Sequence, residues 1–308
     1  MRVVFLGTPE FAVPSLELLI GSRHELIGVI TAPDKPAGRA LKMTEPPVKR
    51  LTKKYNLPIL QPDNLRDDEF LRRFRAWRPD IGIVVAFRLL PEECFSIPEH
   101  GCVNLHAALL PELRGAAPVN WALINGYNRT GVTTFSIDRG MDTGLIWLQK
   151  AMDIEPDENA TRLTARLAVL GARLILDTLD GLESGELKPA TQSGTPSRAP
   201  KIDRQDCQID WSKSACRIHN LIRGLSYEPG AFTYLGQKVF KILRSNITDP
   251  VSSFNSPGMV VKSDQDGLYI AAGEGILAVE EVQLEGRQRM TSAEFLRGKV
   301  VKVGTILG

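Results

Sequence analysis

Apolar positions cluster in short, nearly unbroken runs through the first half of the chain. Arg2–Gly7 is one such run and Leu26–Thr31 a second. Asp80–Phe87 contains Ile-Gly-Ile-Val-Val-Ala, and Cys102–Leu105 follows. Runs of this kind fit strands buried on both faces, as in parallel sheets. Gly131–Ile137 is rich in β-branched residues and reads as a further strand. Between the runs, Thr8–Ile20 and Asn159–Leu182 carry helical spacing, the first with Pro9 in its opening turn and the second with Asn159 or Thr161 as a cap. Strands alternating with helices predict a doubly wound α/β domain with a mostly parallel sheet.

The pattern changes after Lys188. The stretch to Pro200 holds three prolines and several Ser and Thr residues, so it reads as a linker. Beyond it, a helix over Ser212–Leu225 precedes Ala231–Leu235, Lys238–Leu243, Met259–Lys262, Gly267–Ala271 and Ile276–Val282. Short strands broken by Gly, Asn and Asp predict a small β-barrel. The expected organisation is a catalytic domain over residues 1–189, a linker over 190–207 and a second domain over 208–308.

Composition narrows the class. The chain has 308 residues, 43% of them apolar, enough for two cores. No apolar run is long enough to span a membrane. The chain passes from Met1 into its first strand without a signal-like segment, so a cytoplasmic location is expected. Cys94, Cys102, Cys207 and Cys216 show neither zinc-ribbon nor disulfide-frame spacing, and reduced thiols are expected. The net charge of +2 conceals one asymmetry. Between Asp34 and Lys54 stand Lys35, Arg39, Lys42, Lys49, Arg50, Lys53 and Lys54, opposed by Asp34 and Glu45 alone. Positive charge this concentrated attracts a polyanion.

The chemistry is concentrated at Val103–Pro118 and Ile137–Gly144. Asn104 and His106 are two residues apart, so in a strand both point to one face. They sit at the carboxyl end of a strand, where open α/β sheets bind ligands. Asp138 and Asp142 lie in another loop after a strand. An Asn amide and a His⁺ stabilise an oxyanion, while an Asp holds the His charged and accepts an amine proton. The same residues also fit a satisfied buried His and an ordinary Asp-Thr-Gly turn. A nicotinamide site is disfavoured: Gly7-Thr-Pro-Glu lacks the G-x-G-x-x-G fingerprint. No clustered metal ligands are apparent, and no metal is expected.

These residues resemble the methionyl-tRNA formyltransferase family. Its N-x-H-x-S-L-L-P-x-x-R-G-x-x-P motif stands here as Asn104, His106, Leu109-Leu110-Pro111, Arg114-Gly115 and Pro118, followed by Asp142-Thr143-Gly144. The resemblance implies Asn104, His106 and Asp142 as the catalytic set. It implies 10-formyltetrahydrofolate as formyl donor, held by Ala108, Leu109, Leu110, Pro111, Phe87, Leu90 and Asp138. It also implies initiator methionyl-tRNA as acceptor, met by Lys35, Arg39 and Lys42 in the loop after the second strand and by the C-terminal barrel, which in the family is OB-like. Nothing in the sequence argues against a monomer, and a monomer is expected. Two positions depart from the pattern: Ala108 replaces the usual Ser, and Arg88 replaces a small residue. A sugar-amine formyltransferase shares the triad but lacks the Pro-Ala-Gly-Arg loop. A non-catalytic RNA- or folate-binding module would show a broken triad, and here it is complete.

Overall fold

The computed structural model describes residues 1–37, 42–254, 256–265, 267–298 and 301–308. Along the chain run β1 (Arg2–Gly7), α1 (Val13–Ile20), β2 (Glu25–Ile30), β3 (Lys35–Ala37), β4 (Lys42–Thr44), α2 (Pro47–Lys54), β5 (Ile59–Leu60), α3 (Asp68–Ala76), β6 (Ile81–Val85), α4 (Glu92–Phe95) and β7 (Cys102–His106). Then come α5 (Pro118–Ile124), β8 (Arg129–Ser136), β9 (Ile146–Asp153) and α6 (Ala160–Ser184). The last third holds α7 (Ala215–Gly224), β10 (Ala231–Leu235), β11 (Lys238–Asp249), β12 (Val260–Asp264), β13 (Gly267–Ala271), β14 (Ile276–Leu284), β15 (Met290–Thr291) and α8 (Ser292–Gly298).

The chain divides into two compact units. The first comprises Met1–Gly115, Thr130–Met152 and Thr164–Arg198; the second comprises Ala116–Arg129, Asp153–Leu163 and Ala199–Gly308. In the first unit a seven-stranded sheet has the order β5-β2-β1-β6-β7-β8-β9. Strands β5, β2, β1, β6 and β7 are parallel, and β8 runs antiparallel to β7. All five residues of β6, and all of β1 except Arg2, are buried, as their unbroken apolar runs predict. The chain moves outward from β1 to β2 and β5, then crosses back to β6 on the other side of β1. That reversal opens a crevice beyond the carboxyl ends of β1 and β6, where such sheets bind ligands.

Several elements differ from expectation. The first helix begins at Val13 instead of Thr8, after a separate 3₁₀ turn over Glu10–Ala12. Asn159 does cap the long helix: its Oδ1 accepts from the Arg162 N–H at 3.0 Å. Strand β9 and helices α2 and α3 carry mixed charge and were not anticipated. Helix α3 is nonetheless well specified, with Asp67 accepting from the Phe70 N–H at 2.8 Å and Phe70, Leu71 and Phe74 buried.

The second unit carries an antiparallel sheet of order β10-β11-β14-β13-β12, with β15 added beside β14. Strand β11 runs on to Asp249, and its pairing with β14 shifts register three times. Bulges of this kind let one long strand curve across a small barrel-like sheet. Its core includes Trp211, Ile218, Ile222, Phe240, Val260, Ile270 and Val282. The buried Trp211 indole N–H donates to Thr233 Oγ1 at 3.0 Å, which satisfies a donor that burial would otherwise strand. The four cysteines are free, and burial pushes the Cys94 thiol up to about 11. Among the described residues no helix is long and apolar enough to cross a membrane.

Candidate functional site

Strand β7 lies between β6 and β8 and delivers Asn104 and His106 to one face at its carboxyl end. His106 is 5% exposed, and its ring stands edge-on to Phe135 with centroids 6.5 Å apart. Its Nε2–H donates to the Leu113 carbonyl at 2.9 Å. A carbonyl can only accept, so this bond fixes the proton on Nε2 and turns Nδ1 toward Asp142, whose Oδ2 is 3.7 Å away. That carboxylate also accepts the Gly115 N–H at 2.7 Å. The half-buried Asn104 amide makes no hydrogen bond among the described residues, so its donors remain available.

The expectation of a charged histidine is corrected by this environment. Burial, the largest influence, drives the His106 pKa below the ordinary histidine value; Asp142 and the Leu113 carbonyl pull it partly back. The ring is therefore neutral near pH 7. A neutral Nδ1 and a carboxylate oxygen 3.7 Å apart are two acceptors with no proton between them, a ready place for one to arrive. Linkage gives the sign for stability. The unfolded histidine binds its proton at about pH 6.5 and the folded one only lower. The contribution is thus complete above about pH 6.5 and is lost as pH falls toward the folded value. Urea midpoints should fall between pH 7 and pH 5, and His106→Gln should flatten that slope. An unchanged slope would remove the assignment.

The loop after β7 is held by its backbone. Thr133 Oγ1 donates to the Ala108 carbonyl at 2.6 Å and accepts from the Leu110 N–H at 3.1 Å. Gln149 Nε2 reaches the Leu110 carbonyl at 2.9 Å and Thr133 Oγ1 at 3.0 Å. Ala108 is fully buried, so its methyl packs where a serine hydroxyl would need a partner. Leu110, Pro111 and Leu90 are buried, while Leu109 and Phe87 are half-buried. Leu109 lies over Gly131, where an added Cβ would come within 2.6 Å of its Cδ2. Phe87, Thr8, Pro9 and Lys35 line one cleft of about 410 Å³. Leu90 and Asp138 line another, of about 690 Å³. Asp138 is exposed and turned into its own loop, accepting from the Gly140 N–H at 2.9 Å and Thr143 Oγ1 at 2.7 Å. Arg88 folds back to donate to the Asp63 carbonyl at 2.7 Å and to the Pro62 carbonyl.

The stretch read as a linker is in part a wall of this site. Gln192 Nε2 donates to the carbonyls of Asp142 at 2.8 Å and Gly144 at 2.9 Å, and its Oε1 accepts from Arg114 Nη2 at 2.6 Å. Ser197 Oγ accepts from the Leu113 N–H at 2.8 Å. Leu113, Asp142 and Ala86 all have positive φ, at 56°, 54° and 47°. L-residues adopt this conformation at a cost, and it gathers at functional sites. Composition marks Lys188–Pro200 as polar and proline-containing but does not show which carbonyls its residues bind. Gln192→Ala should lower turnover about tenfold without unfolding the chain, because it frees the Asp142 loop. Parallel kinetics and circular dichroism check this.

The basic segment is less free than its sequence suggests. Lys49 pairs with Asp34 at 2.7 Å and Glu45 at 3.5 Å, Lys53 with Glu45, and Arg50 with Glu10 at 2.9 Å. The Lys49 ammonium holds Asp34 below the usual carboxylate range, with Gln61 assisting. Strands β3 and β4 pair antiparallel. Lys35 is exposed, Lys42 sits on β4, and Arg39 lies outside the described residues. Among the described residues the fold also assembles one group of metal-capable side chains that linear spacing hides: His24, Asp180 and Glu183. Arg23 pairs with both of its carboxylates, at 2.8 Å and 2.9 Å.

Two family descriptions match the chain: "Formyl transferase" over residues 1–179 and "Formyl transferase, C-terminal domain" over residues 201–300. The chain is 42% identical to a methionyl-tRNA formyltransferase from Pelotomaculum thermopropionicum, covering 100% of this chain and 99% of that protein. It is 43% identical to one from Acetivibrio thermocellus, with both chains fully covered. Among solved structures it shares its fold with WlaRD, a sugar 3N-formyl transferase crystallised with dTDP and 5-N-formyl-THF. The TM-score is 0.67 at 20% identity, covering 94% of this chain and 99% of that one. HypX from Aquifex aeolicus, in complex with tetrahydrofolic acid, gives a TM-score of 0.67 at 17% identity, covering 96% of this chain and 47% of that one.

Proposed function

Because the chain belongs to the methionyl-tRNA formyltransferase family, we propose that its site moves the formyl group of 10-formyltetrahydrofolate onto the free amine of initiator methionyl-tRNA. The observation that carries the residue assignment is the buried His106, pinned by Leu113 and facing Asp142 with an unprotonated nitrogen. The methionyl amine attacks the formyl carbon and a tetrahedral oxyanion forms. The unpartnered Asn104 amide donates to that oxygen. His106 Nδ1 takes the proton released by the amine, and Asp142 steadies the resulting imidazolium. The imidazolium returns the proton to N10 as the C–N10 bond breaks, leaving tetrahydrofolate and N-formylmethionyl-tRNA. The donor lies against Ala108–Pro111, Phe87, Leu90 and the Asp138–Asp142 loop. Lys35, Arg39 and Lys42 meet the acceptor stem. The reaction needs no metal in this account, and we place the enzyme in the cytoplasm as a monomer.

WlaRD and HypX share only the fold with this chain, so they do not favour a sugar amine as acceptor. The deciding experiment supplies 10-formyltetrahydrofolate with either methionyl-tRNA or an amino-sugar nucleotide. Formyl transfer to methionyl-tRNA alone, weakened by Arg39→Ala through KM for tRNA, supports the reading. Transfer to the sugar alone leaves the triad and removes the acceptor.

A further inference from the structure

A separate cleft of about 360 Å³ lies wholly within the second unit, at the small end of ligand-pocket volumes. One side is formed by His219, which is 6% exposed. Both ring nitrogens are engaged, Nδ1 with Ser245 Oγ at 3.1 Å and Nε2 with Asp157 Oδ1 at 3.1 Å. Burial lowers the His219 pKa, so the ring is neutral: the Ser245 hydroxyl donates to Nδ1, and Nε2–H donates to Asp157. Arg223, half-buried beside it, donates Nε to Asn220 at 2.8 Å and Nη1 to the Glu158 carbonyl at 3.2 Å. Among the described residues it makes no ion pair and its Nη2 has no hydrogen-bond partner. Tyr227 also lines the cleft. The Arg289 guanidinium lies 4.2 Å from its ring centroid, and its hydroxyl makes no hydrogen bond among the described residues.

The charge of this lining is mixed. Arg162, Arg223 and Arg244 line the cleft together with Asp157, Glu158 and Glu280. Arg162 is paired with Glu155 at 2.6 Å and Arg244 with Glu280 at 2.5 Å, which leaves Arg223 as the arginine without an ion pair among the described residues. A bare phosphate would meet the acids as well as the arginines. A planar heterocycle with donors and acceptors on its edge, carrying one anionic group, matches an aromatic ring, a free guanidinium nitrogen and a carboxylate together. We propose that this cleft binds a single nucleotide, stacked on the face of the Tyr227 ring opposite Arg289, with Arg223 and Asp157 on its polar edge. The ligand is either a free mononucleotide or one unstacked nucleotide of an RNA.

The site does not rest on formyl transfer, and its first test needs no formyl donor. GMP, AMP, CMP and UMP are titrated into the full chain by calorimetry at constant ionic strength. At least one should bind, and Tyr227→Leu should weaken it about five- to a hundredfold while Tyr227→Phe keeps it. Arg223→Gln should weaken it comparably and Arg223→Lys less. The tyrosine pair keeps the test decisive should Arg223→Gln misfold. No binding of any of the four, or Tyr227→Leu equal to wild type, overturns the proposal. The two sources separate in the formylation assay. A raised KM for methionyl-tRNA in Tyr227→Leu, with the donor KM unchanged, assigns the cleft to RNA. An unchanged tRNA KM beside lost nucleotide binding assigns it to a free nucleotide.

Discussion

His106→Ala should lower kcat/KM by about three orders of magnitude, or ~4 kcal/mol of transition-state stabilisation. The size follows from two losses at one position. In the proposed mechanism the proton acceptor facing Asp142 disappears, and with it the group that returns the proton to the leaving nitrogen. The KM values for donor and acceptor should move only a few fold, because neither ground state depends on proton transfer. The substitution also empties a buried position and leaves the Leu113 carbonyl unpaired, costing about 1–3 kcal/mol of stability. Urea unfolding beside steady-state kinetics separates the two effects. A fall in kcat of less than tenfold with a stable fold would take His106 out of the reaction.

Gly144→Ala should be nearly as damaging without touching a reacting group. A Cβ there would stand 1.7 Å from the Ser136 carbonyl oxygen. That oxygen belongs to the last residue of β8, which pairs with Val103 of β7, so the turn is the part expected to move. Asp142 is two residues away, and the Gly144 carbonyl is one of the two that Gln192 grips. A displacement of about 1 Å at a catalytic group costs on the order of a hundredfold in rate. Overpacking adds about 1–3 kcal/mol of instability. Activity within twofold of wild type would show that the turn can yield without carrying Asp142 along.

The parts of this fold written in local pattern were legible. Unbroken apolar runs marked β1 and β6, two-residue spacing put Asn104 and His106 on one face of β7, and β-branching marked β8. What escaped depends on partners distant in sequence. Nothing near His106 says that its ring is buried against the Leu113 carbonyl, so the neutral form was not expected. Nothing in the basic stretch shows Lys49 turned onto Asp34 or Arg50 onto Glu10. The Asn220 and Glu158 contacts that hold Arg223 are likewise visible only once the chain is folded.

The clamp made by Gln192 and Ser197 bears on where this protein can be cut. A fragment ending at Pro189 would follow the compositional boundary and keep every residue of the motif. It would nevertheless lose the side chain bridging the carbonyls of Asp142 and Gly144, and the hydroxyl that receives the Leu113 N–H. A fragment meant to keep this site would therefore have to run at least to Arg198, where the last segment of the first unit ends. Tolerance to inserted residues should begin only after that point, although the proline-rich sequence before it looks like the natural place for a graft.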